Sequence, residues 1–360
     1  MAKKRQTKKK AKNVFIVILL FIVIAVCLYM AWKYYGNTDQ NGKVISDEVS
    51  FHFMELGNGY AGDSIYIKAG DVDILVDAGS KNSSASTIME YVDDYVADKK
   101  FEYVIATHYD KDHISAFFGT SKDNGVLDNY KCDVIIDAPK STKTTKTYTN
   151  YVKKRDELVK NGTKHYTALD CYNNENGASR KYELTDEIEL EILYNYYYDH
   201  ETTDENNNSV CFLINQGDRH FLFTGDLEKE GEEKLVEYNT LPEVELFKAG
   251  HHGSKTSSND CLLSIIKPKI VCVCCCAGST EYTKDNDNTF PTQAFISRIS
   301  KYTNKVYVTS LSVDGTTSNY ASMNGNIVVT SNPDKVVVNC SNNNVILKDT
   351  EWFKKNRKWE

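Results

Sequence analysis

Residues 101–113 read FEYVIATHYDKDH. An apolar run ends at Ala106, and the following seven positions hold two histidines and two aspartates. The pattern predicts a strand that runs into a polar loop at its end. His108 and Asp110 lie two apart on an extended segment, so their side chains share a face and can grip one ion. Asp112 and His113 stand where a helix is expected to begin, and can hold a second ion beside the first. The decision is between a metal cradle and a loop that is merely polar.

Other strand ends favour the cradle. Asp77 closes DILVDAG, Asp226 closes FLFTGD, and His251 and His252 follow VELFKAG. Each has an ordinary explanation alone: Asp77 could shape a turn, Asp226 could cap the helix that follows, and His252 could be a surface histidine. Five strand-end residues, Asp77, His108, Asp226, His251 and His252, with one kind of chemistry are hard to explain as caps. Polar groups at strand ends converge when the strands lie side by side. Asp226 is then a natural bridging carboxylate. Mixed nitrogen and oxygen ligands suit Zn²⁺, and added carboxylate tilts the preference toward Mn²⁺ or Mg²⁺.

The chain has 360 residues, 41% hydrophobic and 26% charged, the mix of a globular protein. Its net charge of −7 conceals an asymmetry. Residues 1–13, MAKKRQTKKKAKN, hold seven basic residues and no acidic one, which leaves 36 Lys and Arg against 50 Asp and Glu in the remainder. So acidic a body argues against broad adhesion to nucleic acid, which depends on Lys and Arg displacing counterions.

Residues 14–32, VFIVILLFIVIAVCLYMAW, carry no charge. A helix of that length rises about 28 Å, close to the roughly 30 Å of a bilayer's hydrocarbon core. The expected arrangement is a single-pass membrane anchor with the basic head cytoplasmic and the body extracellular. Residues 33–48 form a polar linker, 49–348 one α/β body, and 349–360 a tail that is either a docked helix or frayed. The stretch 140–180, rich in Asn, Thr and Lys, is expected to be an irregular surface insertion. Nine cysteines follow the apolar run, and an odd number cannot all pair within one chain. VCVCCCAG (271–278) lacks metal-site spacing and reads as a buried strand that uses cysteine as a small hydrophobe.

THYDKDH resembles the HxHxDH signature of the metallo-β-lactamase superfamily in an HxDxDH form, and FTGD and VDAG resemble two further motifs of that fold. More narrowly, FKAGHHGSKTS (247–257) is similar to the KxxHHGSxxS block of the extracellular domain of ComEC-type competence proteins. NNNSVCFLI (206–214) and GDSIYI (62–67) resemble segments of the same domain. The resemblance implies a four-layer αββα sandwich with two divalent metals, Zn or Mn, held at one edge by Asp77, His108, Asp110, Asp112, His113, Asp226 and His251. It implies catalytic or pocket roles for Asp112, His252, Ser254 and Lys248, with Ser257 nearby. Of the paired histidines, His251 is favoured as the ligand because it lies closer to the strand end.

Three departures stand out. Asp110 replaces the second histidine. The third-motif histidine is missing, the stretch reading DENNNSV (204–210), and Phe290-Pro291 stands where related proteins often carry His-Pro. His165, His200 and His220 sit off the motif. The implied activity is metal-dependent hydrolysis, with a phosphodiesterase or nuclease as the leading expectation. A single span leaves no room for a DNA-uptake pore. The alternatives are a cell-wall phosphoesterase of the teichoic-acid phosphorylcholine type, or a metal-stabilised binding or sensor ectodomain without turnover. Asp110 makes the cradle harder and more negative, so activation by Mn²⁺ relative to Zn²⁺ is expected to exceed that of Asp110→His when the two are assayed side by side.

Overall fold

In the computed structural model, which describes residues 47–360 and, before them, Ile24 alone, Val49–Phe53 (β1) shows how the layers arise. Successive side chains of a strand point to opposite faces. Phe51 and Phe53 face inward, where Phe51 meets Phe221 of the facing sheet at 4.5 Å between ring centroids and Phe53 meets Phe223 at 6.3 Å. His52 faces outward to the helix Ser84–Val92, with Nδ1 2.8 Å from the Tyr91 hydroxyl.

The remaining strands, in chain order, are β2 (Ile65–Ala69), β3 (Val72–Val76), β4 (Lys100–Ala106), β5 (Lys131–Asp137), β6 (Lys164–Thr167), β7 (Lys181–Glu183) and β8 (Ile188–Ile192). They continue with β9 (Phe212–Gln216), β10 (Arg219–Phe223), β11 (Leu246–Lys248), β12 (Ile270–Ala277), β13 (Val306–Ser312), β14 (Tyr320–Ser322), β15 (Ile327–Ser331) and β16 (Val336–Cys340). Two eight-stranded sheets result, ordered β16-β15-β1-β2-β3-β4-β5-β6 and β14-β13-β12-β11-β10-β9-β8-β7. In the first, β3 to β6 run parallel; in the second, β10 to β13 do. The metal-site motifs sit at the ends of these parallel strands.

The main core lies between the sheets and includes Phe51, Phe53, Phe212, Phe221 and Phe223. A second apolar layer packs Leu235, Leu262, Leu263, Phe295 and Ile299, from helices, onto the outer face of the second sheet. Helices outside two stacked sheets are the architecture expected of αββα folds. All of β12 is buried, with Cys272 and Cys274 in one core and Cys275 in the other. The nine described cysteines are free thiols, and burial pushes the Cys276 thiol up to about 12. They pack as small hydrophobes.

The stretch 140–180 is more regular than expected. It forms the helix Lys146–Lys160, the edge strand β6 and the helix Ala168–Asn173. Thr145 caps the first helix by accepting from the Tyr148 amide, and Tyr148, Tyr151, Val152 and Leu158 place an apolar stripe on one face. The stripe was hidden among lysines and threonines. Residues 351–356 form a helix with Phe353 buried, and Arg357 donates to the Pro291 carbonyl at 2.9 Å, so the tail is docked. The head 1–13, the apolar run 14–32 and all but the last two residues of the linker lie outside the described residues. Among the described residues no helix is long and apolar enough to cross a membrane.

His52 yields a pH prediction. Burial lowers its pKa from 6.5 to about 4. A depressed histidine contributes stability that is present above pH 6.5 and lost as pH falls through the folded value. Urea unfolding at pH 7, 5.5 and 4 should show a loss of up to about 3 kcal/mol from this residue, which His52→Gln removes.

Candidate metal centre

Asp77 follows β3, Thr107 and His108 follow β4, and the short helix Lys111–Ile114 carries Asp112 and His113. From the second sheet, Asp226 lies just past β10, Lys248 ends β11, and His251 and His252 form the next turn. The loops are laced together by backbone hydrogen bonds. Asp63 donates its amide to the Asp112 carbonyl at 3.0 Å, Ala78 to that of His113 at 2.7 Å, and Val210 to that of Thr107 at 2.8 Å.

Two glycines make the approach possible. A Cβ on Gly79 would lie 1.5 Å from the Asp112 carbonyl oxygen, and one on Gly225, which has φ +54°, would lie 2.7 Å from Ser209 Oγ. Glycine alone fits either place. Ser209 also receives the Asp226 amide at 3.0 Å, so the NNNS stretch supports the aspartate turn.

Asp77 governs the donor chemistry. Its carboxylate accepts from the Thr107 amide at 2.7 Å, the Thr107 hydroxyl at 2.7 Å, and His113 Nδ1 at 2.8 Å. Thr107 Oγ1, having spent its proton on Asp77, accepts from His108 Nδ1 at 3.2 Å. His252 donates Nδ1–H to the Cys274 carbonyl at 2.9 Å. This network puts a proton on Nδ1 of all three rings and leaves each Nε2 as the lone pair of the neutral ring.

Those lone pairs meet carboxylates. His113 Nε2 lies 3.1 Å from Asp226 Oδ2, and His252 Nε2 lies 3.3 Å from the same oxygen and 3.5 Å from Asp112 Oδ2. Asp63, His113, Asp226 and His252 are all buried, with one ligand atom from each within 4.8 Å of the others. His108 Nε2, His252 Nε2 and Asp63 Oδ1 make no well-formed hydrogen bond among the described residues. Acceptors that face one another in a buried site need positive charge between them, from a metal ion or, without one, from protons on the rings. The residues therefore fit a divalent metal of nitrogen and oxygen preference.

Protonation follows the same field. Burial opposes a charged His113 or His252, but Asp226 with Asp77 or Asp63 outweighs it and raises both pKa values well above 6.5, so with no metal bound a proton on each Nε2 faces the carboxylates, and a metal ion displaces it. Burial likewise opposes ionisation of Asp63, yet Lys248, His252 and His113 hold its carboxyl down at about 2. His108 is pushed well below the usual range by burial and by His113.

The site differs in several placements from the sequence reading. Asp63 sits in the cluster, although the GDSIYI segment that contains it was noted without a site role for the aspartate. Asp77 faces Thr107 and His113 rather than the cluster centre, because its oxygens are committed to their donors. His252, not His251, turns inward: both have left-handed backbone, with φ +54° and +47°, and the turn sends the His251 ring out to Glu228 at 3.3 Å and Thr256 at 3.2 Å. Lys248 does not line the cleft. It is buried behind the cluster, its ammonium paired with Asp63 and lying 3.4 Å from Asp226 Oδ1. Ser254 is spent inside its own turn, 3.0 Å from Thr256 Oγ1, and Ser257 donates to the Leu227 carbonyl at 2.7 Å.

In front lies a cleft of about 300 Å³ lined by Tyr109, Asp110, Asp112, Asp226, His251 and Tyr282 among others. The Tyr282 hydroxyl donates to Asp112 Oδ2 at 2.9 Å, a contact with no motif to announce it. Asp110 sits at the rim, Oδ2 3.7 Å from His108 Nε2 and Oδ1 paired with Lys143.

Residues 57–125 and 199–277 match the family model described as the metallo-beta-lactamase superfamily. The chain is also similar to Recombination protein 2 of Haemophilus influenzae, 30% identical over 111 residues, which is 31% of this chain and 13% of that protein. ComE operon protein 3 of Bacillus subtilis is 27% identical over 176 residues, 48% of this chain and 19% of its own length. Competence protein ComA of Neisseria gonorrhoeae is 33% identical over 110 residues, 30% and 15% respectively. The matches span less than a fifth of each relative.

Asp77→Asn offers an amide where His113 needs an acceptor. It should lower affinity for Mn²⁺ or Zn²⁺ by about ten- to a hundredfold in calorimetric titration, with the fold retained. Asp63→Asn should lower it at least as far.

Proposed function

We propose that this chain, which carries a metallo-β-lactamase superfamily domain resembling that of ComEC-type competence proteins, is a divalent-metal-dependent phosphodiesterase anchored in a membrane by residues 14–32 with its body outside. The observation that carries the reading is the buried convergence of bare imidazole nitrogens and carboxylates behind an open cleft. Asp63, Asp112, His113, Asp226 and His252 would hold zinc or manganese, with His108 and Asp110 toward the rim. Bound there, such ions supply Lewis acidity and lower the pKa of water toward neutrality.

The chain's own groups do the rest. Asp112 faces the cleft, and although burial opposes its charge, His252 and His113 keep it ionised, so it is ready to orient a water or take its proton. Tyr282 brings an O–H donor to the cleft wall. Lys248 fixes Asp63 and Asp226 from behind. His251, on the cleft rim beside Glu228, is placed to meet an anionic substrate.

The relatives' names, competence and recombination, favour DNA as the polymer. Against this stands the acidic body, with 36 basic residues for 50 acidic ones after residue 13, which disfavours broad adhesion to nucleic acid and keeps a cell-wall phosphodiester as the alternative. The purified full chain with Mn²⁺ or Zn²⁺ is expected to hydrolyse bis-p-nitrophenyl phosphate, and Asp226→Ala to lose at least about a hundredfold of that activity. Cleavage of single- or double-stranded DNA supports a nuclease. Activity on the small diester without cleavage of DNA moves the substrate to the cell wall. Bound metal without activity on either substrate points to a metal-stabilised binding or sensor domain, and absence of both metal and activity overturns the hydrolase reading.

A further inference from the structure

The stretch DENNNSV (204–210), where the third-motif histidine is missing, carries Glu205. Its carboxylate is buried and accepts from Ser141 Oγ at 3.1 Å, Thr142 N at 2.7 Å, Thr142 Oγ1 at 2.8 Å and Tyr109 N at 3.3 Å. These donors come from two separate places. Tyr109 stands between His108 and Asp110, while Ser141 and Thr142 immediately precede Lys143. One carboxylate therefore ties the Asp110 loop to the Lys143 turn. Beyond the turn, Thr145 caps the helix Lys146–Lys160, so Lys143 is held from both sides.

The Lys143 ammonium pairs with Asp110 Oδ1. The other oxygen of Asp110 looks toward His108 Nε2, the bare nitrogen left when the third histidine of the motif is absent. Among the described residues the facing ligand atoms are those of Asp63, His113, Asp226 and His252, which leaves His108 and Asp110 outside the group, and Lys248 already lies against Asp226 Oδ1. The rim position is short of ligands and already holds a fixed positive charge.

We infer that Lys143 takes the place of the second cation: the chain binds one ion tightly in the cluster of Asp63, Asp112, His113, Asp226 and His252, and the ammonium beside Asp110 supplies the charge that meets an anionic substrate oxygen. Glu205 acts as the positioning residue that holds Lys143 there. The inference rests on the metal-dependent reading above and concerns how many ions serve it.

The test is metal stoichiometry, independent of turnover. The full chain is stripped with chelator and titrated calorimetrically with Mn²⁺ and, separately, Zn²⁺, with bound metal counted by mass spectrometry. The wild type is expected to take one tight ion, with a second at least about a hundredfold weaker. Lys143→Gln, which removes the charge, should tighten the second ion by about tenfold or more, while Lys143→Arg, which keeps it, should not. Glu205→Gln should tighten it by a smaller factor. Two ions of similar affinity in the wild type, or no change in Lys143→Gln, overturns the inference and leaves the hydrolase reading standing. No ion at all in the wild type overturns both.

Discussion

The hydrogen bonds received by one buried carboxylate, Asp77, set the chemistry of the site. Through Thr107 and His113 it dictates which nitrogen of each neighbouring imidazole carries the proton, and so which nitrogen remains a lone pair. The residue has φ +58°, a left-handed conformation that costs a non-glycine residue energy. The strain is sustained because its amide is bonded to the Ile105 carbonyl at 2.8 Å and its side chain to three donors. Histidine ligands are commonly oriented in this way by a group that never touches the metal.

A scaffold must supply the rigidity. The two sheets clasp a phenylalanine-rich core, and the parallel strands of each deliver their ends to one edge. Pairing between β3 and β4 sets Asp77 beside His108, and pairing between β10 and β11 sets Asp226 beside Lys248 and the His251-His252 turn. Close approaches then lock the loops, Gly79 against Asp112 within the first sheet and Gly225 against Ser209 and, across the sheets, Thr107. Substituting a larger residue at either place would part them.

Lysine recurs on both sides of this acidic site, in two different situations. Lys248 is fully enclosed and neutralises Asp63 and Asp226 from within the protein. Lys143 is partly exposed and reaches Asp110 from a turn pinned by Glu205. The first stabilises a concentration of carboxylates that burial alone would not tolerate, and the second sits against Asp110, which lines the cleft.

Much of this was readable in the chain itself. Alternation and β-branched runs marked the strands, and the abrupt change from apolar to polar at Ala106, Phe223 and Ala249 marked where ligands would emerge, because a strand end is a purely local feature. The helix Lys146–Lys160 was missed because its apolar stripe is dispersed among lysines. Asp63 was missed as a ligand because it precedes a strand rather than ending one, and the resemblance of GDSIYI gave its aspartate no role. The choice between His251 and His252 depended on two left-handed residues, and backbone handedness at non-glycine positions leaves no mark in sequence. The sequence by itself determined which residues are available at strand ends and in what order. Which oxygen or nitrogen each one presents was decided only in the tertiary structure, since that depends on hydrogen bonds between segments as far apart as Asp63 and Lys248.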